Sequence, residues 1–285
     1  MIDDMYRGRP LSRGYPKLEE LSVEWFKVHQ SQETPTEETT RCLENLIDLS
    51  SGPRTVAVVG CGPNPYSVEA LLDLGYDAVG IEPVPGYAEV ARAYLGDPQR
   101  ILVGSAERLP LRDQSQKVVL LQSVLEHVDS PIKSLEEAHR VTSPGGVTFV
   151  STTNRHRFSV TGHNDEFRVR FYNWLPQIAK ECYVFKHLHF DPTLANYTPR
   201  PAVHWFSFTD LCELGRQAGF AQFYSRFDLV DYDAASIRKS VWRRWFVRAF
   251  RRSLLVRAMG LVFFGEQIFM WKRSCEADTG AAMPR

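Results

Sequence analysis

Several features of common protein classes are missing from this 285-residue sequence. Its five cysteines are scattered and never form a C-x-x-C pair, which argues against a disulfide framework and against a structural zinc site. The first residues, Met-Ile-Asp-Asp-Met, carry no apolar segment of the kind that a secretory signal peptide has. The longest apolar run near the end, residues 259–264, is far shorter than the ~20 residues of a membrane-spanning helix. We therefore expect a cytoplasmic protein with reduced thiols.

Net charge is also absent, because 34 basic residues balance 34 acidic ones. This balance disfavours a protein that binds nucleic acid over its whole surface. The balance fails locally, since residues 234–265 contain no acidic side chain. The same segment carries the basic residues Arg238, Lys239, Arg243, Arg244, Arg248, Arg251, Arg252 and Arg257.

The hydrophobic periodicity predicts an α/β protein. Helical patterns over residues 16–29 and 36–49 come first, and helices then alternate with short apolar strands. Strands and helices that alternate in this way are typical of a doubly wound parallel sheet. The predicted strands cover residues 55–59, 78–81, 100–103, 118–122 and 147–151, and two more follow at 220–230 and 266–271.

A glycine-rich segment, V-A-V-V-G-C-G-P-N-P at residues 56–65, joins the first predicted strand to the next helix. Glycines at such a turn allow a ligand to approach the backbone closely. The pattern alone leaves two interpretations, a tight turn without a ligand or the turn that nicotinamide, flavin and adenosylmethionine proteins share. Glu82, at the end of the second strand, favours a ligand because a carboxylate there can accept hydrogen bonds from both ribose hydroxyls of a nucleoside.

Five motifs follow one another along the chain: G-C-G-P, I-E-P, G-S-A-E-R-L-P, L-E-H-V and S-P-G-G. In their order and spacing they resemble the class I, UbiE/UbiG-like (type 11) methyltransferases over residues 55–153. The resemblance implies a Rossmann-like, seven-stranded, mostly parallel sheet whose last strand runs antiparallel. It also implies S-adenosyl-L-methionine as the cofactor and methyl transfer as the reaction.

The resemblance further implies which residues bind the cofactor. The glycine-rich turn contacts the methionine part, the end of the second strand holds the ribose beside the adenine, and the turn after the third strand lies along the adenine. The end of the fourth strand lies near the methionine part. In that order the residues are Gly60, Cys61, Gly62 and Asn64; Glu82 and Pro83; Ser105, Ala106 and Glu107; and Gln122.

On these grounds the chain divides into five parts. They are an N-terminal arm and helical cap (1–50), an S-adenosylmethionine-binding core (51–153), a lid or acceptor-binding insertion (154–206), the C-terminal part of the sheet with a basic amphipathic helix (207–273), and a tail (274–285).

The motif L-E-H-V supplies the candidate catalytic residues. Methyl transfer to a hydroxyl needs an aligned and deprotonated nucleophile. We predict His127 as the general base, with Glu126 beside it, because histidine exchanges protons near neutral pH. A structural histidine at a helix start, capped by Glu126 or by the backbone, is the alternative. The expected acceptor is a sugar, phenolic or lipid-linked hydroxyl. No metal is expected, since the pair His187 and His189 lacks a second cluster of ligands.

Four residues depart from the pattern of the family. Val58 stands where an acidic residue is usual, Asn64 replaces a third glycine, Ser105 replaces an aspartate, and Lys117 replaces a common aspartate at the start of the fourth strand. Asn64 is a mild change, because asparagine is the non-glycine residue best tolerated in a left-handed turn. The missing acidic residues at Val58 and Ser105 favour an alternative function, an inactive cofactor-binding regulatory or scaffold protein that docks through its basic helix. Glu82, Glu107 and His127 favour the enzyme.

The basic segment, residues 238–257, predicts an amphipathic helix. At 100° per residue, Trp242, Trp245, Phe246 and Phe250 share one face and most arginines share the other. This composition is typical of a helix that lies peripherally on a membrane. A helix packed on the sheet with a solvated basic face is an alternative. RNA binding is a third, and we do not expect it because the rest of the chain is acidic.

Overall fold

The computed structural model describes residues 36–49, 52–156, 171–186, 204–231 and 240–273, together with Ala202 and Ile237. In this part of the chain, helices pack on both faces of one seven-stranded sheet. The helices are α1 Thr36–Leu46, α2 Tyr66–Asp73, α3 Pro85–Leu95, α4 Pro131–Val141, α5 Gln177–Lys186, α6 Phe208–Gln217, α7 Arg226–Leu229, α8 Val241–Arg252 and α9 Leu254–Phe264. The strands are β1 Thr55–Val59, β2 Asp77–Glu82, β3 Ile101–Val103, β4 Gln116–Gln122, β5 Thr142–Ser151, β6 Gln222–Ser225 and β7 Gln267–Trp271.

The sheet has the strand order β3-β2-β1-β4-β5-β7-β6. Strands β1 to β5 pair in parallel, whereas β7 runs antiparallel to both of its neighbours. The predicted Rossmann-like sheet with an antiparallel last strand is therefore confirmed. Phe149 on β5 lies opposite Phe269 on β7, with ring centroids 4.7 Å apart. Such an aromatic pair adds about 0.5–1.5 kcal/mol beyond the burial of its surface, and it stabilises the antiparallel pairing.

Alternate residues of the strands face two separate apolar layers. On β1, Val56 and Val58 point to the layer under α1, α2 and α3, whereas Ala57 and Val59 point to the layer under α4 and α6. Because both faces of the central strands are covered, their sequences are almost continuously apolar. Val58, one of the residues that depart from the resembled pattern, is buried and belongs to the first layer.

Two sequence predictions near the C-terminus were wrong in extent. The strand predicted over residues 220–230 ends at Ser225, where α7 begins, because the Asp228 carboxylate accepts a hydrogen bond from the Ser225 N–H at 2.8 Å and caps the turn. The single basic helix predicted over residues 238–257 is two helices, α8 and α9. The break lies at Ser253, whose hydroxyl accepts a hydrogen bond from the Val256 N–H at 3.4 Å and starts α9.

The described part of the predicted lid is less irregular than expected. It contains a 3₁₀ turn, Tyr172–Trp174, followed by α5. The ring of Tyr172 is fully buried. Residues 157–170 and 187–201, which include His187 and His189, lie outside the described residues, as do the predicted helix over 16–29 and the tail. None of the described helices is long and apolar enough to cross a membrane.

Candidate cofactor and acceptor site

The predicted site residues meet at one edge of the sheet. The parallel strands β1, β2, β3 and β4 all end at this edge, so the loops that follow them are neighbours. The ends of these strands and the loops that follow them carry every residue predicted to bind the cofactor and both predicted catalytic residues. The fold therefore brings the predicted site together.

The turn after β1 depends on its glycines. Gly60 and Gly62 both have left-handed backbones, with φ of 67° and 68°. The N–H groups of Gly60 and Cys61 donate to the Ile81 carbonyl at 2.7 and 3.2 Å, which fixes the turn against the end of β2. A Cβ atom at Gly60 would lie 2.7 Å from a methyl carbon of Val124, in the loop after β4. Any larger residue would push that loop away from the edge.

Glu82 ends β2 with its carboxylate beside this turn. One carboxylate oxygen accepts from the Gly62 N–H at 2.9 Å and the other accepts from the Val84 N–H at 3.0 Å. The residue is 4% exposed, and this burial raises the pKa of Glu82 to about 7, although the two backbone donors act in the opposite direction. Each oxygen keeps further lone-pair capacity, so the carboxylate can also accept from a pair of ligand hydroxyls.

Cys61 is held in a neutral state. It is 7% exposed, and burial, with a smaller contribution from the charge of Glu82, raises the pKa of its thiol to about 12. Its sulfur packs against Gly80, where a Cβ atom would lie only 2.7 Å from it. Cys61 therefore shapes the turn as a small apolar residue and does not supply a thiolate nucleophile.

Asn64 lies in the same turn as Gly60 and Gly62. Unlike these two glycines, it does not have a positive φ. Its side chain is 5% exposed, and its amide nitrogen has no hydrogen-bond acceptor among the described residues. A buried donor without a partner is costly, so a bound ligand with an acceptor group would satisfy it.

The residues after β3 and at the end of β4 are tied to the same edge. Ser105 and Arg108 close a small turn, Ala106 is 5% exposed, and the Glu107 carboxylate accepts from the Asp129 N–H at 2.9 Å. Glu107 therefore fixes the loop after β4. At the end of β4, the Gln122 side chain accepts from the Ser67 hydroxyl of α2 at 3.3 Å. Pro83 is exposed beside Glu82.

Glu126 is fully buried in the loop after β4. Its carboxylate accepts a hydrogen bond from the Thr152 hydroxyl at 2.9 Å, directly after β5. Its carbonyl accepts from the His204 N–H at 3.2 Å, and the His204 ring lies 3.0 Å from the Val128 carbonyl. Glu126 thus joins three segments of the edge. This placement suits a positioning residue rather than one that touches the acceptor.

His127 lies half-buried in the same loop. Its N–H donates to the Val124 carbonyl at 2.9 Å, which closes a tight turn after β4. Ser123, the first residue after β4, has a left-handed backbone with φ of 51°. A non-glycine residue in this conformation stores strain of order 1–3 kcal/mol, which is typical of loops that present functional groups.

Sequence reasoning missed the role of two residues at this edge, Thr152 and Ser67. Both hold a predicted site residue by a side-chain hydrogen bond, Thr152 to Glu126 and Ser67 to Gln122. Thr152 follows the carboxyl end of a parallel strand, and that position is a usable signal for a site residue. The Ser67 contact joins residues 55 positions apart and depends on the packing of α2.

Comparison with known families bears on this edge of the sheet. Residues 57–150 match the model of a methyltransferase domain. An "uncharacterized methyltransferase" of Mycobacterium bovis is 39% identical over 101 residues, which are 35% of this chain and 39% of that protein. An "uncharacterized methyltransferase" of Mycobacteroides abscessus is 36% identical over 161 residues, which cover 53% of this chain and 62% of that protein. The chain therefore spans less than two thirds of the length of these relatives.

A solved structure supports the fold independently. Phosphoethanolamine N-methyltransferase 2 of Haemonchus contortus, in complex with S-adenosyl-L-methionine, superposes with a TM-score of 0.51 over 93% of this chain and 59% of that one, at 12% identity. At this identity the likeness concerns the fold alone. The resemblance seen in the motifs therefore agrees with the methyltransferase-domain match over residues 57–150, whereas the narrower UbiE/UbiG-like group stays a prediction.

Proposed function

We propose that this protein transfers a methyl group from S-adenosyl-L-methionine to a hydroxyl of a small or lipid-linked acceptor. The methyltransferase-domain match over residues 57–150 and the sheet order support the coarser part, an S-adenosylmethionine-dependent methyltransferase. The acceptor class and transfer to oxygen are the finer part of the proposal.

The observation that carries the proposal is the arrangement around Glu82. A buried carboxylate accepts from the Gly62 N–H in a turn with two left-handed glycines, and Asn64 adds a buried donor that lacks an acceptor among the described residues. An adenosine group has two ribose hydroxyls that suit the carboxylate, and an amino-acid group brings acceptors for the amide. The residues present therefore fit S-adenosylmethionine.

When bound, the cofactor supplies a methyl group on a sulfonium sulfur, which needs no further activation. The protein has to bind it, to align the acceptor and to remove a proton. Glu82 would hold the ribose of the bound cofactor, and the turn at Gly60 and Gly62 would contact its methionine part. Glu126, through Thr152, fixes the loop that presents His127. His127 accepts the hydroxyl proton of the acceptor, and general-base catalysis of this kind contributes about 10²–10⁴-fold in rate.

Calorimetric titration of the full chain with S-adenosylmethionine and with its demethylated product tests the cofactor. We expect micromolar binding that Glu82→Ala weakens by about 1.5–3 kcal/mol, because the variant removes a charged acceptor from the ribose. The matched control is Glu89→Ala, which removes an exposed carboxylate from α3, the next helix along the chain. Equal affinity in all three proteins would contradict the assignment of Glu82.

The acceptor is tested separately with radiolabelled methyl groups. Sugar, phenolic and lipid-linked acceptors are compared with amine acceptors of similar size. Label in an ether product supports transfer to oxygen, and label only in amine products contradicts it while leaving the cofactor assignment intact. Cofactor binding without transfer to any acceptor would favour the alternative of an inactive scaffold protein, which the methyltransferase-domain match does not favour.

A further inference from the structure

The helices α8 and α9 form a hairpin with an unusual exposed surface. Large apolar side chains on both helices face solvent, and several are more exposed than is common for their type. The most exposed are Leu254 at 86%, Val241 at 80%, Trp242 at 78%, Leu255 at 70%, Trp245 at 59%, Phe264 at 55% and Met259 at 53%. We call this set, with the exposed Val262 and Phe263, the hairpin face.

The hairpin is held firmly to the rest of the molecule. Phe246 and Phe250 of α8 pack against Phe227 of α7, with ring centroids 5.3 and 5.1 Å apart. Gly260 is buried on α9 and lets Phe250 approach, since a Cβ atom there would lie 2.7 Å from its ring. Arg257 forms an ion pair with Asp228. The inner side of the hairpin therefore packs against the domain, and the hairpin face points away from it.

Basic residues border the hairpin face. Arg244, Arg248 and Arg252 of α8 are exposed on the same half of the helix as Trp242 and Trp245. Arg251 instead donates to the carbonyls of Phe227 and Val230, at 2.9 and 2.6 Å, and faces the domain. No acidic residue occurs from position 234 to position 265. All charged residues of the hairpin, residues 241–264, are therefore arginines.

Tryptophans beside arginines, next to a broad apolar stripe, match the surface of an anionic bilayer. The arginines pair with lipid phosphates, the indole rings lie at the headgroup level, and the stripe of α9 enters the acyl boundary. The stripe runs through Leu255, Met259 and Phe263 along a helix of 11 residues, about 16 Å long. We propose that the hairpin face binds an anionic lipid surface.

The position of the hairpin gives this surface a relation to the site. Asn154, three residues after the end of β5, is buried and donates from its amide to the Val262 carbonyl of α9 at 2.9 Å. The Thr152 N–H donates to the Glu266 carbonyl at 3.0 Å, just after α9. The hairpin is therefore fixed beside the edge of the sheet that carries Glu126 and His127. Lipid binding itself does not depend on methyl transfer.

Vesicle sedimentation with the full chain tests the proposal. We expect binding to vesicles of phosphatidylcholine with phosphatidylglycerol, and weak binding to phosphatidylcholine alone. Each arginine near an anionic surface contributes about fivefold in partition coefficient. The double variant Arg248→Glu/Arg252→Glu should therefore lose more than tenfold, whereas Arg112→Glu, an exposed arginine before β4, should lose almost nothing.

Entry of the apolar stripe into the bilayer needs a second measurement. Lipids brominated near the headgroup end of their acyl chains quench tryptophans that lie where the headgroups meet the acyl chains, so quenching should fall in Trp242→Ala/Trp245→Ala. Leu255→Asp/Met259→Asp should abolish vesicle binding. The thermal unfolding temperature should stay unchanged, because both side chains are exposed. Leu74→Asp, at an exposed leucine that caps the end of α2, is the matched control.

Two other occupants of the hairpin face would overturn the proposal. If the face packs against a second copy of the chain, light scattering will show a dimer that Leu255→Asp/Met259→Asp converts to a monomer, without vesicle binding. If the arginines bind RNA, a single-stranded RNA will bind more tightly than anionic vesicles, and the apolar variants will bind it normally. Equal binding of the wild type to neutral and anionic vesicles contradicts the role of the arginines.

Discussion

The ionisation of Glu82 should couple cofactor binding to pH. Burial raises its pKa to about 7, so in the free protein this carboxyl is largely protonated in mildly acidic solution. Ribose hydroxyls donate to the ionised form, and binding therefore favours loss of the proton. Affinity should rise with pH until the carboxyl is fully ionised, and binding near neutral pH should release a proton.

The size of this effect follows from the pKa. With a pKa of about 7 in the free protein, the ionised fraction grows about tenfold between about pH 6 and about pH 8, and affinity should grow by the same factor. The assay is calorimetric titration with 5′-methylthioadenosine, which carries the adenosine group but lacks the amino-acid group that would titrate itself. Proton release is read from the dependence of the binding heat on the ionisation heat of the buffer.

The same group affects stability without a ligand. Because the folded pKa lies above the ordinary value of 4.5, Glu82 contributes stability that is fully present below 4.5 and is lost as pH rises through about 7. The shift corresponds to about 3 kcal/mol. Denaturation of Glu82→Gln beside the wild type isolates this contribution, since the amide does not titrate. Glu89→Gln on α3 is the control.

A flat affinity for 5′-methylthioadenosine over this pH range would refute the reasoning. So would an equal pH slope in Glu82→Gln, because the slope would then belong to another group. A slope in the opposite direction would mean that the ligand accepts a hydrogen bond from the protonated carboxyl.

Three further changes have expected outcomes. Gly60→Ala should cost about 2–4 kcal/mol in chemical denaturation, since a Cβ there meets Val124 at 2.7 Å in a left-handed backbone, whereas Gly75→Ala, with φ of 80° and open space, should cost only about 1–2. His127→Ala should slow methyl transfer roughly a hundredfold or more with cofactor affinity kept, and a near-native rate would return it to a structural role. Glu126→Gln should lower kcat without changing the calorimetric cofactor affinity, and a weakened affinity would contradict its positioning role.

Much of the fold could be predicted from the sequence because local patterns and tertiary packing agree there. The strands around β1 and β4 are buried on both faces, so their apolar runs mark them clearly. The glycines of the cofactor turn could be predicted because the turn packs against the end of β2 with left-handed backbones, which favour glycine. Glu82 could be predicted because it is the acidic residue at the end of that strand. The alternation predicted from residue 220 failed at Ser225, where a capping interaction with Asp228 outweighs the strand pattern.

The candidate site could be predicted only in part, because several of its contacts join distant segments. The hydrogen bonds of Thr152 to Glu126 and of Ser67 to Gln122 are examples.

The surface of the basic helix also depends on distant segments. Helical periodicity placed Trp242 and Phe246 on one face of this helix, yet the structure places them in different surroundings. Phe246 packs on Phe227, while Trp242 remains 78% exposed. Only the packing of α7 and α9 decides which part of the apolar face is used inside the protein, and no local pattern contains that information.

The loop after β4 connects the cofactor turn with the hairpin for which we propose lipid binding. Val124 lies over Gly60 of the cofactor turn, and the carboxylate of Glu126, two residues later, accepts a hydrogen bond from Thr152, directly after β5. Thr152 donates by its N–H to Glu266, at the end of that hairpin. A displacement of the hairpin at a lipid surface would therefore act on Thr152 and Glu126 before it reached the cofactor turn. Binding to vesicles should accordingly change the rate of transfer more than it changes the affinity for the cofactor.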